Sequence, residues 1–276
     1  MALSVNTNYA SLTAQNNLQA SQSRLTTSLQ RLSTGLKINS AGDDPAGLVT
    51  SSLQASQISG LQTSIQNIQT GTALAQTADS SLANINNLLV QVRTLAANSA
   101  NTATQSTASL AANQASATAL LSSIDNISTT TKFGTVALLD GTFSAQQFQT
   151  GAFSGQTSSL TIAAADSTTL GVNGIDLTTA AGATAALTAI DAAISTVATA
   201  RGNIGSFITG TLTATQNNNQ SQLTNLQQAQ SILTDTNYQT EIATYTSENI
   251  RQQAASTVLG FANQSNQSII SLLRGQ

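Results

Sequence analysis

Leu18-Gln-Ala-Ser-Gln-Ser-Arg-Leu25-Thr-Thr-Ser-Leu29-Gln-Arg-Leu32-Ser-Thr-Gly-Leu36 is the stretch on which the reading of this chain turns. Its leucines step by 7, 4, 3 and 4 residues, which places them on one narrow stripe of a helix. A similar stripe stands near the other end: Ile250, Ala254, Val258, Phe261, Ile269, Leu272 and Leu273. Each stripe must be buried, and the simplest partner for one terminal helix is the other. A chain whose ends pair, with an interval that reads mostly as more helix, is expected to be a rod.

Composition narrows the class. Of 276 residues only 3% are aromatic and 7% charged, against roughly a quarter charged in ordinary soluble proteins. The apolar 40% is largely Ala, Leu, Ile and Val, which suit helix seams. The polar remainder is mostly uncharged amide and hydroxyl, a surface that avoids like-charge repulsion when copies stack side by side. A net charge of −3, with eight basic residues scattered from Arg24 to Arg274, excludes nucleic acid as a partner. No run approaches 18 apolar residues, and the start lacks the basic and apolar regions of a secretory leader. The expectation is no membrane span and no cleaved signal peptide. Without Cys or His there is no disulfide, zinc site, thiol nucleophile or imidazole base. The one adjacent carboxylate pair, Asp43-Asp44, has a structural use: Asp44 caps a helix whose first turn holds Pro45, where a missing N–H costs nothing. The chain is expected to be no enzyme and to hold no cofactor or metal.

Past Pro45, Leu61, Ile68, Ala75, Leu82 and Leu89 run in heptad phase with Ala78, Ile85 and Val92 alongside, predicting a helix to about Asn98. Gly60 and Gly71 weaken that prediction, since Gly costs about 1 kcal/mol against Ala inside a helix. A polar turn at 98–107 leads to a shorter helix carrying Leu110, Ala117, Leu121 and Ile124, antiparallel to the first because the connection is short. From 132 to 182 glycines and phenylalanines gather, and Asp140-Gly141 signals a turn, so this is the β-hairpin region. Phe143, Phe148 and Phe153 suit a hairpin core better than a sugar-stacking cluster. Helical spacing returns at Leu187, Ile190, Ile194, Val197, Ile204 and Ile208, then becomes less regular through Leu212 and Leu223. Arg201 on that seam is expected either to snorkel to the edge or to find Asp191 or Asp125 on a neighbour, a structural salt link rather than a binding site. The fold class is mainly α: a long antiparallel helical rod or coiled-coil bundle (43–236), the small β-hairpin region, and a coaxial two-helix terminal domain (1–42 with 237–276). Such a two-helix element buries little and wants copies of itself.

Four strings carry a family resemblance. Leu32-Ser-Thr-Gly-Leu-Lys-Ile-Asn-Ser-Ala-Gly-Asp-Asp-Pro-Ala-Gly-Leu48 resembles the end of the first terminal helix of bacterial flagellins. Leu88-Leu-Val-Gln-Val-Arg-Thr-Leu-Ala-Ala-Asn-Ser-Ala100 is similar to their next helix end, and Thr131-Lys-Phe-Gly-Thr-Val-Ala-Leu-Leu-Asp-Gly141 to their hairpin entry. Ala262-Asn-Gln-Ser-Asn-Gln-Ser-Ile-Ile-Ser-Leu-Leu-Arg274 resembles their carboxyl terminus. The resemblance implies a short flagellin without large outer domains: the extracellular subunit of a helical homopolymer that serves swimming motility.

In such a subunit, Leu18, Leu25, Leu29, Leu32, Leu36, Ile250, Val258, Phe261, Ile269, Leu272 and Leu273 are expected to carry filament assembly. Gly42, Asp43, Asp44 and Pro45 are expected to form the turn between domains, with Gly42 and Pro45 standing where many relatives have Lys and Ala. Partners implied by the resemblance are further copies, hook-associated junction and cap proteins, and an export chaperone, with export unfolded through the flagellar type III apparatus. In family members that activate the innate flagellin receptor, an Arg stands at Gln91 and an acidic residue at Ser116, with a Leu matching Leu95; absence of both charges argues against activation. A hook-to-filament junction protein is the alternative within the same axial class.

Overall fold

In the computed structural model the described residues are 7–101 and 103–274, with side chains described through Ser265 at the carboxyl end. The chain forms two compact units, one of residues up to Ser56 together with those from Asn225, the other Gln57–Thr224.

Helix α2 (Pro45–Ser99) starts in the first unit and runs 55 residues, about 80 Å at 1.5 Å per residue. Its cap is the predicted one: the Asp44 carboxylate accepts the Gly47 N–H at 2.9 Å, and Pro45 takes the first helical position. Gly60 and Gly71 do not break it. They sit where the second hairpin presses on the helix: a Cβ at Gly60 would lie 3.2 Å from the Ala152 Cα, and one at Gly71 3.0 Å from the Phe148 ring. The glycines are the price of close approach, not the mark of a loop.

The larger unit has one continuous core. Ala75, Ala78, Leu82, Ile85, Leu89, Val92 and Ala96 of α2 alternate by three and four residues and are essentially inaccessible. Ala117, Leu121 and Ile124 of α3 (Thr107–Thr130) and Ile190, Val197 and Ile204 of α4 (Ala180–Ser206) join the same cluster. Ser106 and Ser109 close a reciprocal capping box at the start of α3, and Thr179 caps α4. Two ion pairs tie α4 to α2, Arg93 to Asp191 at 2.6 Å and Arg201 to Asp79 at 2.7 Å. Arg201 therefore reaches neither carboxylate expected for it. Asp191 is occupied by Arg93, and Asp125 accepts both the N–H and the hydroxyl of Ser167.

The β region is smaller than 132–182. Strands β1 (Lys132–Phe133) and β2 (Val136–Ala137) form one antiparallel hairpin, β3 (Gln146–Gln149) and β4 (Thr157–Leu160) another, with Phe148 opposite Ser158. Phe143 is buried, Phe148 meets Phe207 in a tilted ring pair with centroids 6.0 Å apart, and Phe153 is exposed. Residues 161–179 are turns pinned by helix side chains: Gln114 donates to the Ile175 carbonyl and accepts the Leu177 N–H.

The returning helix loses its regular spacing after Ile208 because residues Phe207–Thr213 form a π-helix between α4 and α5 (Ala214–Thr234). Its i to i+5 bonding puts Phe207 and Leu212 on the same buried face. The run Ala180–Thr234 is long and apolar enough to cross a membrane by length and composition. Its Ala183, Ala186, Ile190, Ala193 and Val197 lie instead in the core cluster.

In the smaller unit α1 (Tyr9–Thr34) lies against α6 (Tyr238–Arg274). Gly35 ends α1 in the left-handed conformation at φ 74°, which only Gly adopts without strain, and its N–H returns to the Arg31 carbonyl at 2.9 Å. Lys37 N–H then donates to the Thr234 carbonyl and Thr236 N–H to Gly35, fixing the register of the helix pair at this end.

Candidate functional site

The pair α1–α6 shows how this chain divides its surface. Ala14, Ser21 and Ser28 are buried at seven-residue intervals, and Ser11, Leu18, Leu25 and Leu32 are half-buried between them, a heptad seam. The matching seam on α6 is Glu241, Tyr245, Glu248, Gln252, Ala255, Leu259 and Ala262, again alternating by four and three. The seam mixes leucines with small and polar groups. The Ser21 hydroxyl donates to the Glu248 carboxylate at 2.9 Å, and the Ser28 hydroxyl to the Glu241 carbonyl at 3.4 Å. Arg24 and Arg251 approach Glu248 at 3.7 and 2.8 Å, and Arg31 approaches Glu241 at 4.0 Å. The Ser21 hydrogen bond, joined by the charges of Arg251 and Arg24, holds the Glu248 carboxyl below the usual glutamate range despite its burial. At the far end Asn8 donates to the Ala262 carbonyl and Ser11 to Asn263.

The apolar stripe expected to face α1 faces outward instead. Ile250 is 61% exposed, Val258 55% and Phe261 65%. Leu29 of α1 and Leu36 just after it are exposed likewise, as are Tyr9, Leu12 and Ile242. Leu18, Leu25 and Leu32 contribute to the seam, so the leucine stripe of α1 is split between inner and outer faces. The side chains of Ile269, Leu272 and Leu273 lie outside the described residues. A search for small residues at strict seven-residue spacing would have found the true seam in Ala14, Ser21 and Ser28. The hydrophobic pattern alone finds its Leu18, Leu25 and Leu32 but not its buried serines.

The turn 42–45 is built by its carboxylates. Asp43 accepts the N–H groups of Asn39 and Ser40 and the Ser40 hydroxyl, which hold its carboxyl below the usual range, while Asp44 caps α2. Gly47 leaves no room for a side chain, since a Cβ there would stand 2.6 Å from Ile38. Gln91, Leu95 and Ser116 come together: they line a groove of about 570 Å³ along α2 and α3, with Gln91 and Ser116 exposed and Leu95 half-buried. Among the described residues no three His, Cys, Asp or Glu side chains converge as a metal site.

Comparison with known proteins accords with this architecture. The bacterial flagellin N-terminal helical region matches residues 5–144, and the bacterial flagellin C-terminal helical region matches residues 187–273. A flagellin of Bacillus subtilis (strain 168) is 34% identical, with 98% of this chain and 99% of that protein aligned. A flagellin of Halalkalibacterium halodurans is 33% identical at the same coverage. The B-type flagellin of Pseudomonas aeruginosa is 46% identical over 62% of this chain, which spans only 35% of that longer protein. The crystal structure of Bacillus cereus flagellin superposes with a TM-score of 0.50 at 28% identity, covering 56% of this chain and 88% of that one. These relatives are flagellins, so a junction protein is not favoured. With both terminal regions matched, near full-length alignment to short relatives and a shared fold, the chain belongs to the bacterial flagellin family, the structural subunits of the flagellar filament.

Proposed function

We propose that this flagellin polymerises through the outward apolar faces of α1 and α6, with Leu29, Leu36, Ile250, Val258 and Phe261 packing against further copies. Ile269, Leu272 and Leu273 extend the same proposal from the sequence. The observation that carries it is the division of the smaller unit: the seam mixes Leu18, Leu25 and Leu32 with small and polar residues, while Ile250, Val258 and Phe261 face out. An isolated two-helix pair with such a seam gains little from burial, so neighbours that cover the outer faces also order it. Contacts of this kind that do not close into a ring propagate into an open helical polymer. Leu18, Leu25 and Leu32 hold the pair together and support assembly indirectly. The turn Gly42–Pro45 is the proposed joint between an inner domain of residues 1–42 and 237–276 and the helical domain 43–236.

The same reading includes junction and cap proteins and an export chaperone as partners, and export without a cleaved leader; the shared family is what supports both. Activation of the innate receptor is weak in this reading, because the groove at Gln91, Leu95 and Ser116 offers no charged anchor. The test is seeded polymerisation of the intact chain beside one ending before Ser256. Tubes of uniform diameter from the intact chain only are expected. Tubes from both remove Val258, Phe261 and the rest of α6 beyond Ala255 from the interface.

A further inference from the structure

The π segment Phe207–Thr213 holds one residue more than an α-helix would, with Phe207 and Leu212 in the core and open space around the glycines on its outer side. Three glycines, Gly202, Gly205 and Gly210, stand in and just before it. A Cβ at Gly202 or Gly205 would meet nothing within 4 Å, and one at Gly210 only the Ser206 hydroxyl at 4.0 Å. Unlike Gly60 and Gly71, these glycines make no room for a neighbour in the chain. They loosen a helix that other residues would stiffen. Downstream, α5 is held to the second hairpin by a buried clamp: Asn219 Nδ2 donates to Ser64 Oγ at 2.6 Å and to the Thr150 carbonyl at 2.7 Å, and the Ser64 hydroxyl donates to the same carbonyl at 2.9 Å.

The clamp residue is the last of three in a row, Asn217-Asn218-Asn219, and Asn218 is exposed. If the extra residue moves from Phe207–Thr213 to a point between Asn219 and Leu223, the helix between turns by about 100° and advances about 1.5 Å, one residue's worth. Each site on that stretch passes to the preceding residue. Asn218 then takes the place of Asn219 and remakes the clamp, Thr211 takes the place of Leu212, and Leu223 keeps its own.

We propose that Phe207–Thr213 is a register switch, giving α5 two discrete seatings on the hairpin that both satisfy the clamp. The observed seating is the major one because it keeps Leu212 in the core. The other presents a rotated α5 surface. Two packings of one sequence separated by a mobile extra residue form a bistable element of the kind a conformational change needs. The proposal does not depend on which faces carry assembly.

The chain has no cysteine, so spin labels placed at Gln62→Cys on α2 and Asn217→Cys on α5, both exposed positions, report their separation without background. Two distance populations are expected in the full chain, separated by several ångströms, on the order of the helix radius. Deleting Gly210 restores an unbroken α-helix with α5 in its observed seating, and collapses the distribution to the major distance. Asn219→Ala raises the minor population several-fold, and Asn218→Ala lowers it. Circular dichroism shows that each variant is folded. A single distance in the full chain, unchanged by Asn218→Ala, overturns the proposal. So does a Gly202→Ala, Gly205→Ala, Gly210→Ala variant that loses polymerisation while the full chain shows one distance, since the glycines would then serve contact between copies.

Discussion

Replacing Phe261 by Ser, alone and with Ile250→Ser, separates what α6 does within the subunit from what it does between subunits. Both side chains are largely exposed, 65% and 61%, so the isolated subunit has little packing to lose. Ser has nearly the same helix propensity as Phe and Ile, so the stability of the monomer is expected to change by less than about 0.5 kcal/mol. In the polymer the loss is larger. Full burial of a Phe or Ile is worth about 1.5–3 kcal/mol, and covering the exposed fraction accounts for about 1–2 kcal/mol per side chain. At 1.4 kcal/mol per decade, the critical concentration for seeded growth rises about 5- to 30-fold for Phe261→Ser. For the double variant, about 2–4 kcal/mol corresponds to a rise of about 30- to 1,000-fold. Sedimentation of polymer after seeding at graded concentrations measures it directly, with circular dichroism melts of the unassembled chain alongside. An unchanged critical concentration refutes the reasoning. So does a monomer destabilised by more than about 1.5 kcal/mol, which would mean that these side chains pack within the chain after all.

Glycine to alanine has opposite signs at two places: Gly71→Ala drives a methyl against the Phe148 ring at 3.0 Å and lowers stability by about 1 kcal/mol net of its helix propensity, whereas Gly205→Ala, with open space around it, raises stability by up to about 1 kcal/mol. Paired thermal melts decide both. Asp44→Ala removes the α2 cap and costs about 1 kcal/mol, seen as a lower melting temperature, while Asp44→Asn retains most of the stability. For Glu248 the folded-state pKa lies below the unfolded one, so the folded chain binds fewer protons in that range. Its contribution is complete above the ordinary glutamate value near 4.3 and is lost as pH falls through the lowered value. Amide protection factors along α1 and α6, with the intrinsic exchange rate at each pH divided out, are therefore expected to fall below about pH 4, and Glu248→Gln to flatten that dependence.

Much of the larger unit could be read from its residues alone because its apolar groups are buried within one chain. The alternation from Ala75 to Ala96 matches the seam found in the structure, and Asp44-Pro45 marks the start of α2 to the residue. Gly60 and Gly71 misled only about strength, since propensity does not see the hairpin lying across them. The smaller unit was harder for a specific reason. Hydrophobic periodicity assigns an apolar stripe to the nearest partner, and for Ile250, Val258 and Phe261 no covering partner exists among the described residues. Hydrophobic spacing finds Leu18, Leu25 and Leu32 in the inner seam, but not the buried Ser21, Ser28 and Glu248 that alternate with them. Arg201 went to Asp79 because pairing depends on helix stagger, which spacing within one helix does not encode. The π segment left a trace only in the irregular spacing after Ile208.

Side-chain footprinting with hydroxyl radicals, comparing unassembled chain with polymer, tests the central claim most directly. The account predicts that Ile250, Val258 and Phe261 are oxidised readily in the free subunit and protected in the polymer, while Leu82 and Ile85 are protected in both. Equal oxidation of the three α6 residues in both states would contradict it.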